Sequence, residues 1–288
     1  MQVKPRRPVL NWGHPLARGL IGAWPLAERG GTMTQDLCRS ATGRTDPAAY
    51  VPGTLRNMEP ASDWIVSGPG PCLRFDGGWT GNYNTEEQVH CGNVCDRTGT
   101  LPWTLAVWFR VIFGGSAFYF LAGRGASTGL AANRELGLFY NGNGSTNTLF
   151  FNRHDGLGGS ETLTSVSAYA RDAWHHAVLT YDSATMRLYV NGRFDNSVAS
   201  TRSVLGTDYF MIGNWTQGGG TSYPLYGDIA DVRVWSRPLT AREVASLYAR
   251  PWDMYRVAGP MLGKVPSAAA PTTKPFYFRR FIASRRAA

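Results

Sequence analysis

Two pairs of adjacent residues are the candidates for catalysis in this 288-residue chain. His175 and His176 lie in the stretch "WHHAVLTYDSATMRLYVNGR", and Glu86 and Glu87 lie in "YNTEEQVH". A catalytic histidine needs a nucleophile or a carboxylate partner, and a glycoside hydrolase needs two carboxylates on one face of a strand. Neighbouring residues of a strand point to opposite faces, and no partner for the histidines is evident nearby in the sequence. The sequence therefore predicts no enzyme, and a glycoside hydrolase is the least favoured alternative.

Aromatic residues in two glycine-rich segments are the candidates for binding a sugar. Trp79, Tyr83 and Asn84 occur in "GGWTGNYN", while Trp215 and Tyr223 flank "TQGGGTS". Sugar sites combine aromatic rings, which stack on the apolar faces of sugars, with hydrogen bonds from amides or carboxylates. These five residues are therefore predicted as glycan contacts. The alternative for Trp215 is that its ring packs beneath its own loop.

The stretch that contains the two histidines has the pattern of a β-hairpin. Apolar and polar residues alternate from Trp174 to Tyr181 and again from Met186 to Val190, with the turn "DSAT" between the two runs. Asn191-Gly192 then favours a type I′ turn into a further strand. The segment predicts a meander of three antiparallel strands, in which both histidines are structural.

Similar segments recur along the chain and set the fold class. Examples are "TLAVWFRVIF", "LGLFYN", "TLFFNR" and "DYFMIG", which are separated by turns rich in Gly and Asn. This pattern is typical of two packed antiparallel sheets, and it predicts an all-β sandwich. One short edge helix is expected in "RPLTAREVASLYARP", where Thr240 and Glu243 have the spacing of a capping box.

The formal net charge of +9 is concentrated at the two ends of the chain. Three cations lie within residues 1–17 and five within residues 274–288. The remaining 21 Lys and Arg residues nearly balance the 20 acidic residues, so the central part of the chain is almost neutral. Nucleic acid is therefore not an expected partner of the central part. No apolar run approaches the roughly 18–20 residues that cross a bilayer, and no signal peptide is evident, so we expect assembly in a cytoplasm and no membrane partner.

The C-terminal segment combines aromatic and basic residues after a linker rich in Pro and Ala. We divide the chain into a basic arm (1–17), a sandwich (18–255), and a linker with a second arm (256–288). An isolated tail cannot bury its aromatic rings, so we expect a partner protein to cover them. The predicted docking residues are Phe276, Tyr277, Phe278, Arg279, Arg280, Phe281, Arg285 and Arg286.

The order of these segments resembles the LamG-like family of concanavalin A-like, jelly-roll domains. "GLIGAWPLAERGG" is similar to the opening strand of that family, "CLRFDGG" to its L-x-F-D-G element, and "YGDIADVRVWSRPLTAREVASLY" to its closing strand and helix. The histidine hairpin resembles the most recognisable motif of the family. The resemblance covers about residues 18–250 and implies a two-sheet antiparallel jelly-roll sandwich.

The flanks "NWGHPLARGLIGAWPLAE" and "LYARPWDMYR" resemble the LamG-like proteins of bacteriophages and prophages. That resemblance implies a non-enzymatic virion structural protein, a decoration or accessory protein present in multiple copies or as a homo-oligomer. Its arms would attach it to capsid or tail proteins, and its sandwich would display a site for host-surface glycans. The alternative is a free carbohydrate-binding, lectin-like module whose tail plays no part in binding.

The resemblance also implies a candidate cofactor, Ca²⁺, because LamG-like domains often bind this ion through oxygen ligands. Asp76, Asp228 and Asp231 are the candidate ligands. The family pattern G-x-I-D-D-V is altered here, since Ala230 replaces the first of its two acids. We therefore expect a calcium site, although the altered motif offers one carboxylate fewer than the family pattern.

Overall fold

The computed structural model describes most of the chain up to residue 257. The described residues are 2, 4–38, 52–78, 85–92, 94–95, 99–112, 118–125, 136–144, 146–155, 159–204, 209–217 and 221–257. The predicted glycan contacts Trp79, Tyr83 and Asn84 lie outside them, and so do the predicted docking residues between Phe276 and Arg286. Strands are numbered below in chain order.

The described strands form two large antiparallel sheets, as the sequence predicts. The first sheet has the spatial order β12-β11-β10-β9-β16-β7-β4-β3. Its members are β3 (Met33–Thr34), β4 (Gly53–Arg56), β7 (Gln88–His90), β9 (Phe118–Gly125), β10 (Leu136–Asn141), β11 (Thr148–His154), β12 (Ser160–Thr164) and β16 (Tyr209–Ile212). A separate two-stranded ribbon, β17 (Thr216–Gln217) and β18 (Thr221–Ser222), follows β16.

The second sheet has the order β15-β14-β13-β8-β19-β6-β5, with β2 paired to β19. Its members are β2 (Leu20–Trp24), β5 (Trp64–Ser67), β6 (Gly70–Asp76), β8 (Trp103–Val111), β13 (His175–Tyr181), β14 (Thr185–Val190), β15 (Arg193–Ala199) and β19 (Tyr226–Trp235). The remaining elements are a 3₁₀ turn at Pro15–Ala17, the helix α1 (Ala241–Ala249), and the pair β1 (Pro8–Leu10) and β20 (Tyr255–Val257). This architecture confirms the predicted jelly-roll sandwich.

Apolar residues occupy two layers rather than one. The main core lies between the sheets and contains, for example, Leu138 and Leu179. A second core covers the outer face of the second sheet, where Val178 and Trp235 pack with Val244 of α1. Because the second sheet is covered on both faces, every residue of β13 is buried, although its sequence alternates.

The local signals in the histidine hairpin and the helix are confirmed. Asn191 and Gly192 both have positive φ, at 52° and 78°, as a type I′ turn requires. The Asp182 carboxylate accepts hydrogen bonds from the backbone of the turn that follows it. Thr240 and Glu243 form the complete capping box at the start of α1. Within the described part of the chain, no helix is long and apolar enough to span a membrane.

The N-terminal segment differs from the free basic arm predicted for residues 1–17. β1 pairs with β20, and the 3₁₀ turn buries Leu16 and Ala17 in the second core. Arg6 and Arg7 are exposed, whereas Lys4 is buried. This segment is therefore part of the folded unit, which extends to Val257.

Backbone carbonyl groups explain why a lysine is buried there. Lys4 Nζ donates to Pro71 O at 2.6 Å and also to Ala230 O. Ala230 is the extra residue of a β-bulge in β19, so its carbonyl lies where the ladder with β8 is interrupted. The ammonium group thus satisfies a carbonyl at a defect in the sheet, and it is not available to an external partner.

Candidate functional site

An aromatic cleft lies on the face of the first sheet that points away from the second sheet. Phe139 of β10 alternates with Leu138 and Tyr140, which belong to the main core, so its ring points outward. Phe150 of β11 alternates with the core residue Phe151 in the same way. The ladder pairs Phe139 directly with Phe150, which places both rings side by side on the outer face.

Five rings form the cleft in two layers. The aromatic lining consists of Phe118, Phe139, Phe150, Trp215 and Tyr223. Phe139 stacks on Phe150 with 4.8 Å between ring centroids, and Trp215 stacks on Tyr223 at 5.5 Å. Phe139 and Trp215 are 5% and 2% exposed, whereas the other three are half-buried. Phe118, Phe150 and Tyr223 therefore present ring surface to a ligand, and the two buried rings support them.

A row of uncharged polar side chains borders the aromatic rings. It consists of Asn141, Asn152, Thr162 and Thr164. The strand registers place Thr162 opposite Asn152 and Thr164 opposite Phe150, so β12 forms this wall of the cleft. Thr162 Oγ1 donates to Asn152 Oδ1 at 2.8 Å. Rings and polar row together enclose about 270 Å³.

A glycine directs the chain from β16 back over the outer face. Gly213 has a φ of +83°, and a Cβ at this position would lie 2.0 Å from a ring carbon of Phe75. Its carbonyl accepts a hydrogen bond from Leu225 N at 2.7 Å, which closes the loop containing the β17–β18 ribbon. The loop brings the rings of Trp215 and Tyr223 within 6 Å of Phe139 (5.9 and 5.7 Å between centroids).

A buried amide fixes the position of Tyr223. Asn214 is fully buried; its Nδ2 donates to Glu86 Oε2 at 3.1 Å, and its Oδ1 accepts from Tyr223 N at 3.2 Å. On the other side, Tyr223 O accepts from Phe120 N in β9 at 2.9 Å. Tyr223 is thus held by its backbone from both sides, and its N–H is shared between Asn214 Oδ1 and Trp215 O, which also lies at 3.2 Å.

The structure brings together two of the five predicted glycan contacts, Trp215 and Tyr223. Trp215 lies under Tyr223 and is almost fully buried, which fits the alternative that it packs beneath its own loop, while its role as a glycan contact stays a prediction. The sequence analysis missed the three phenylalanines and the four polar residues. The alternation in "LGLFYN" and "TLFFNR" could have identified Phe139 and Phe150 as outward residues, since each is next to an inward apolar residue.

The three predicted calcium ligands do not form one site. The bulge at Ala230 places Asp228 and Asp231 on the same face of β19. Asp228 is fully buried and accepts hydrogen bonds from Arg74 and Arg110, at 3.0 and 2.9 Å. The carboxylate of Asp231 pairs with Arg233 Nε at 2.7 Å and accepts a hydrogen bond from Tyr255. These arginines occupy the carboxylates and disfavour a second cation beside them.

Asp76 instead belongs to a different carboxylate group. Its oxygen atoms and those of Asp63 and Glu87 lie within 4.8 Å of one another. Burial, together with the charges of Asp63 and Asp76, raises the pKa of Glu87 from 4.5 to about 7. Carboxylates are ligands that Ca²⁺ prefers, so these three are the described residues that could hold an ion. Ca²⁺ binding remains a prediction.

The paired histidines make packing contacts. The ring of His176 is fully buried and stacks on Trp108, with 4.9 Å between centroids. His175 Nε2 lies 2.9 Å from Ala170 O, and its Nδ1 lies 3.2 Å from the amide of Asn191. Burial lowers the pKa of His176 to about 3, so the ring is neutral near pH 7. These contacts fit the structural role that the sequence predicts.

Solved structures with a similar fold have low sequence identity to this chain. The binding domain of Paraclostridial Mosquitocidal Protein 1 has a TM-score of 0.58 at 13% identity, over 83% of this chain and 53% of that one. Trypanosoma rangeli sialidase in complex with sialic acid has a TM-score of 0.53 at 15% identity, over 82% and 34%. The CBM40 module of Ruminococcus gnavus IT-sialidase, bound to alpha2,3 sialyllactose, has a TM-score of 0.46 at 17% identity, over 51% and 83%.

A comparison with curated proteins found no match. The Laminin_G_3 family model, described as the Concanavalin A-like lectin/glucanases superfamily, matches residues 82–245, which is more than half of the chain. This match and the sandwich architecture confirm the LamG-like resemblance at the level of the family. The chain belongs to the concanavalin A-like lectin/glucanases superfamily.

Proposed function

We propose that this protein is a non-catalytic, lectin-like module that binds a carbohydrate in the aromatic cleft. The observation that supports this most directly is the arrangement of three half-buried rings, Phe118, Phe150 and Tyr223, beside a row of amides and hydroxyls. A sugar ring has apolar C–H faces and polar hydroxyls at its rim. Such a ring can stack on the aromatic surface while its hydroxyls bind the polar row.

A binding role fits the cleft better than a hydrolytic one. Most glycoside hydrolases use two carboxylates at the scissile bond, and the described lining of the cleft includes none. Glu86 lies behind the cleft, where its side chain holds Asn214. The trypanosomal sialidase has a similar fold, but at 15% identity this likeness supports only the sandwich.

The lectin-like module was the alternative in the sequence analysis, and it now replaces the virion structural protein as our main proposal. The residues predicted to dock on capsid or tail proteins lie outside the described part of the chain. Lys4, one of the cations of the predicted N-terminal arm, is buried in the sandwich. None of the proteins named in the comparisons above is a phage or virion protein.

The proposal is tested by glycan binding of the full-length protein and its Phe150→Ala variant. A glycan array identifies a ligand, and titration calorimetry measures its affinity. Removing the Phe150 ring should weaken binding by about five- to thirtyfold, since one aromatic contact contributes roughly 1–2 kcal/mol. The matched control is Phe194→Ala, because Phe194 is 57% exposed on β15 of the other sheet.

The control variant should bind as the parent protein does. Equal affinities of all three proteins for every bound glycan would contradict the cleft as the binding site, and so would no binding to any glycan. Circular dichroism of Phe150→Ala establishes that a loss of binding is not a loss of fold.

A further inference from the structure

We infer that the carbohydrate bound in the aromatic cleft is uncharged, and that acidic sugars such as sialic or uronic acids and sulfated glycans are excluded from it. This inference rests on the proposed function and names the class of its ligand. The net charge of +9 would by itself suggest the opposite, an acidic glycan. Whether the ligand is acidic or neutral therefore depends on the charges near the cleft and not on the net charge of the chain.

The described side chains that line the cleft are uncharged. Besides its aromatic rings, the described lining consists of amide and hydroxyl side chains, and none of these residues is ionised at neutral pH. A sugar carboxylate that moves from water into a partly closed cleft loses part of its solvation, which is unfavourable unless a cation pairs with it. The described side chains of the cleft provide no such cation.

A buried carboxylate elsewhere in the same protein shows which contacts an acidic ligand would need. The buried Asp228 is contacted by two guanidinium groups, from Arg74 and Arg110, and both donate to it within about 3 Å. The aromatic cleft has amides in place of such groups. Asparagine side chains donate neutral hydrogen bonds, which are roughly half as strong as charge-assisted ones.

The hydrogen-bonding groups of the cleft match the hydroxyl groups of a sugar. Asn141 Oδ1 accepts from Asn143 N at 3.0 Å, and Asn152 Oδ1 accepts from Thr162. These bonds fix both carbonyl oxygens, so both amide nitrogens remain as donors without a partner among the described residues. A threonine hydroxyl both donates and accepts. Sugar hydroxyls, which also do both, can satisfy all of these groups without any charge.

The volume of the cleft limits how much of a glycan it holds. At about 270 Å³ it is slightly smaller than the roughly 300–1,000 Å³ typical of sites for drug-sized ligands. One or two sugar rings fill that space. We therefore expect recognition of one or two neutral residues within a glycan, with the rest of the glycan in solvent.

The test separates charge from size with two variants at one exposed lining position, Thr164→Lys and Thr164→Glu. The two new side chains extend the cleft wall by similar lengths with opposite charges. For an uncharged ligand, both should change the affinity by the same factor. For an acidic ligand, Lys should strengthen and Glu should weaken binding, so their affinities would differ by about tenfold or more.

The full-length protein is screened on an array of neutral, sialylated, uronic-acid and sulfated glycans, at 0.15 M and 1 M NaCl. We expect binding to neutral glycans that persists at 1 M NaCl and is lost in Phe150→Ala. If acidic glycans bind through exposed cations, 1 M NaCl should weaken that binding, and the Phe150→Ala substitution should not affect it.

Each result has one meaning. Equal affinities of the two Thr164 variants for a neutral glycan support the inference. Phe150-dependent binding of acidic glycans, with the Lys variant tighter than the Glu variant, overturns the uncharged class but leaves the proposed function intact, whether or not neutral glycans also bind. No Phe150-dependent binding of any glycan overturns the proposed function and this inference with it.

Discussion

His176 shows how a single buried side chain makes the stability of this protein depend on pH. Its pKa is about 3 in the folded protein and 6.5 in an unfolded chain, because burial and the nearby Arg233 oppose protonation. Between these values only the unfolded chain binds the proton, so stability falls as the pH falls from 6.5 towards 3. The limiting slope is about 1.4 kcal/mol per pH unit. The variant His176→Phe keeps a ring against Trp108 and should reduce this slope in urea unfolding at pH 4–7.

The matched control is His14→Asn, at a partly buried histidine of the N-terminal segment. Burial lowers the pKa of His14 as well, but His14 is only partly buried whereas His176 is fully buried, so this variant should keep most of the acid dependence. If the unfolding free energies of the parent protein and His176→Phe stayed parallel from pH 7 to pH 4, another group would be responsible.

At the scale of elements, the β17–β18 ribbon turns a flat sheet surface into a cleft. Asn214 connects this ribbon to Glu86 and to the backbone of Tyr223. The variant Asn214→Ala should leave Tyr223 N with Trp215 O as its remaining acceptor and remove a donor from the buried Glu86 carboxylate, which should lower stability by about 1–3 kcal/mol. The Tyr223 ring should be held less firmly, because only its backbone bonds to Trp215 and Phe120 remain, so we expect glycan affinity to fall, but by less than in Tyr223→Ala.

Near-ultraviolet circular dichroism reports the stacking of Trp215 on Tyr223 in the same variant. The control is Asn57→Gly, because Asn57 donates to the backbone of Glu86 at 2.9 Å without contacting the ribbon, and its φ of 57° suits glycine. Unchanged affinity in Asn214→Ala, with the protein folded, would show that the ribbon needs no such support.

The sequence predicted the elements better than it predicted the cleft, for a physical reason. Turn types, capping and alternation depend on a few adjacent residues, so the hairpin at Asn191 and the start of α1 were predicted correctly. Which apolar face meets solvent depends instead on layers contributed by distant parts of the chain. Alternation indicates that Phe139 and Phe150 share a face opposite their inward neighbours, but only the assembled sheet shows that no further layer covers this face completely.

At the scale of the whole molecule, residues near the two ends of the described chain meet behind the second sheet. β1 pairs with β20, and Gln2 accepts a hydrogen bond from the Trp252 indole at 3.0 Å. Lys4 was predicted to lie in a free arm because the charges of a sequence do not show which cations are exposed. The structure shows that Lys4 instead donates to buried carbonyl groups. Arg7, three residues later, is exposed. The contacts between the two ends of the described chain, which we call the closure, lie on the opposite side of the main core from the aromatic cleft.

The closure and the cleft should therefore be separable by mutation. Lys4→Met leaves the carbonyl groups of Pro71 and Ala230 without the ammonium donor. We expect the free energy of unfolding, measured in urea, to fall by about 2–4 kcal/mol. Glycan affinity at 25 °C should not change. The control Arg7→Met removes an exposed cation from the same segment and should alter stability by less than about 0.5 kcal/mol.

The pH dependence of Lys4→Met gives a second readout of the same contact. Burial lowers the pKa of Lys4 from 10.5 to about 8, so between these values the unfolded chain binds the extra proton. Stability linked to Lys4 therefore rises with pH in this interval, by up to about 1.4 kcal/mol per pH unit. The difference between the parent protein and Lys4→Met should widen from pH 8 to pH 10, because other titrating groups are common to both. A constant difference would mean that folding does not lower the pKa of Lys4.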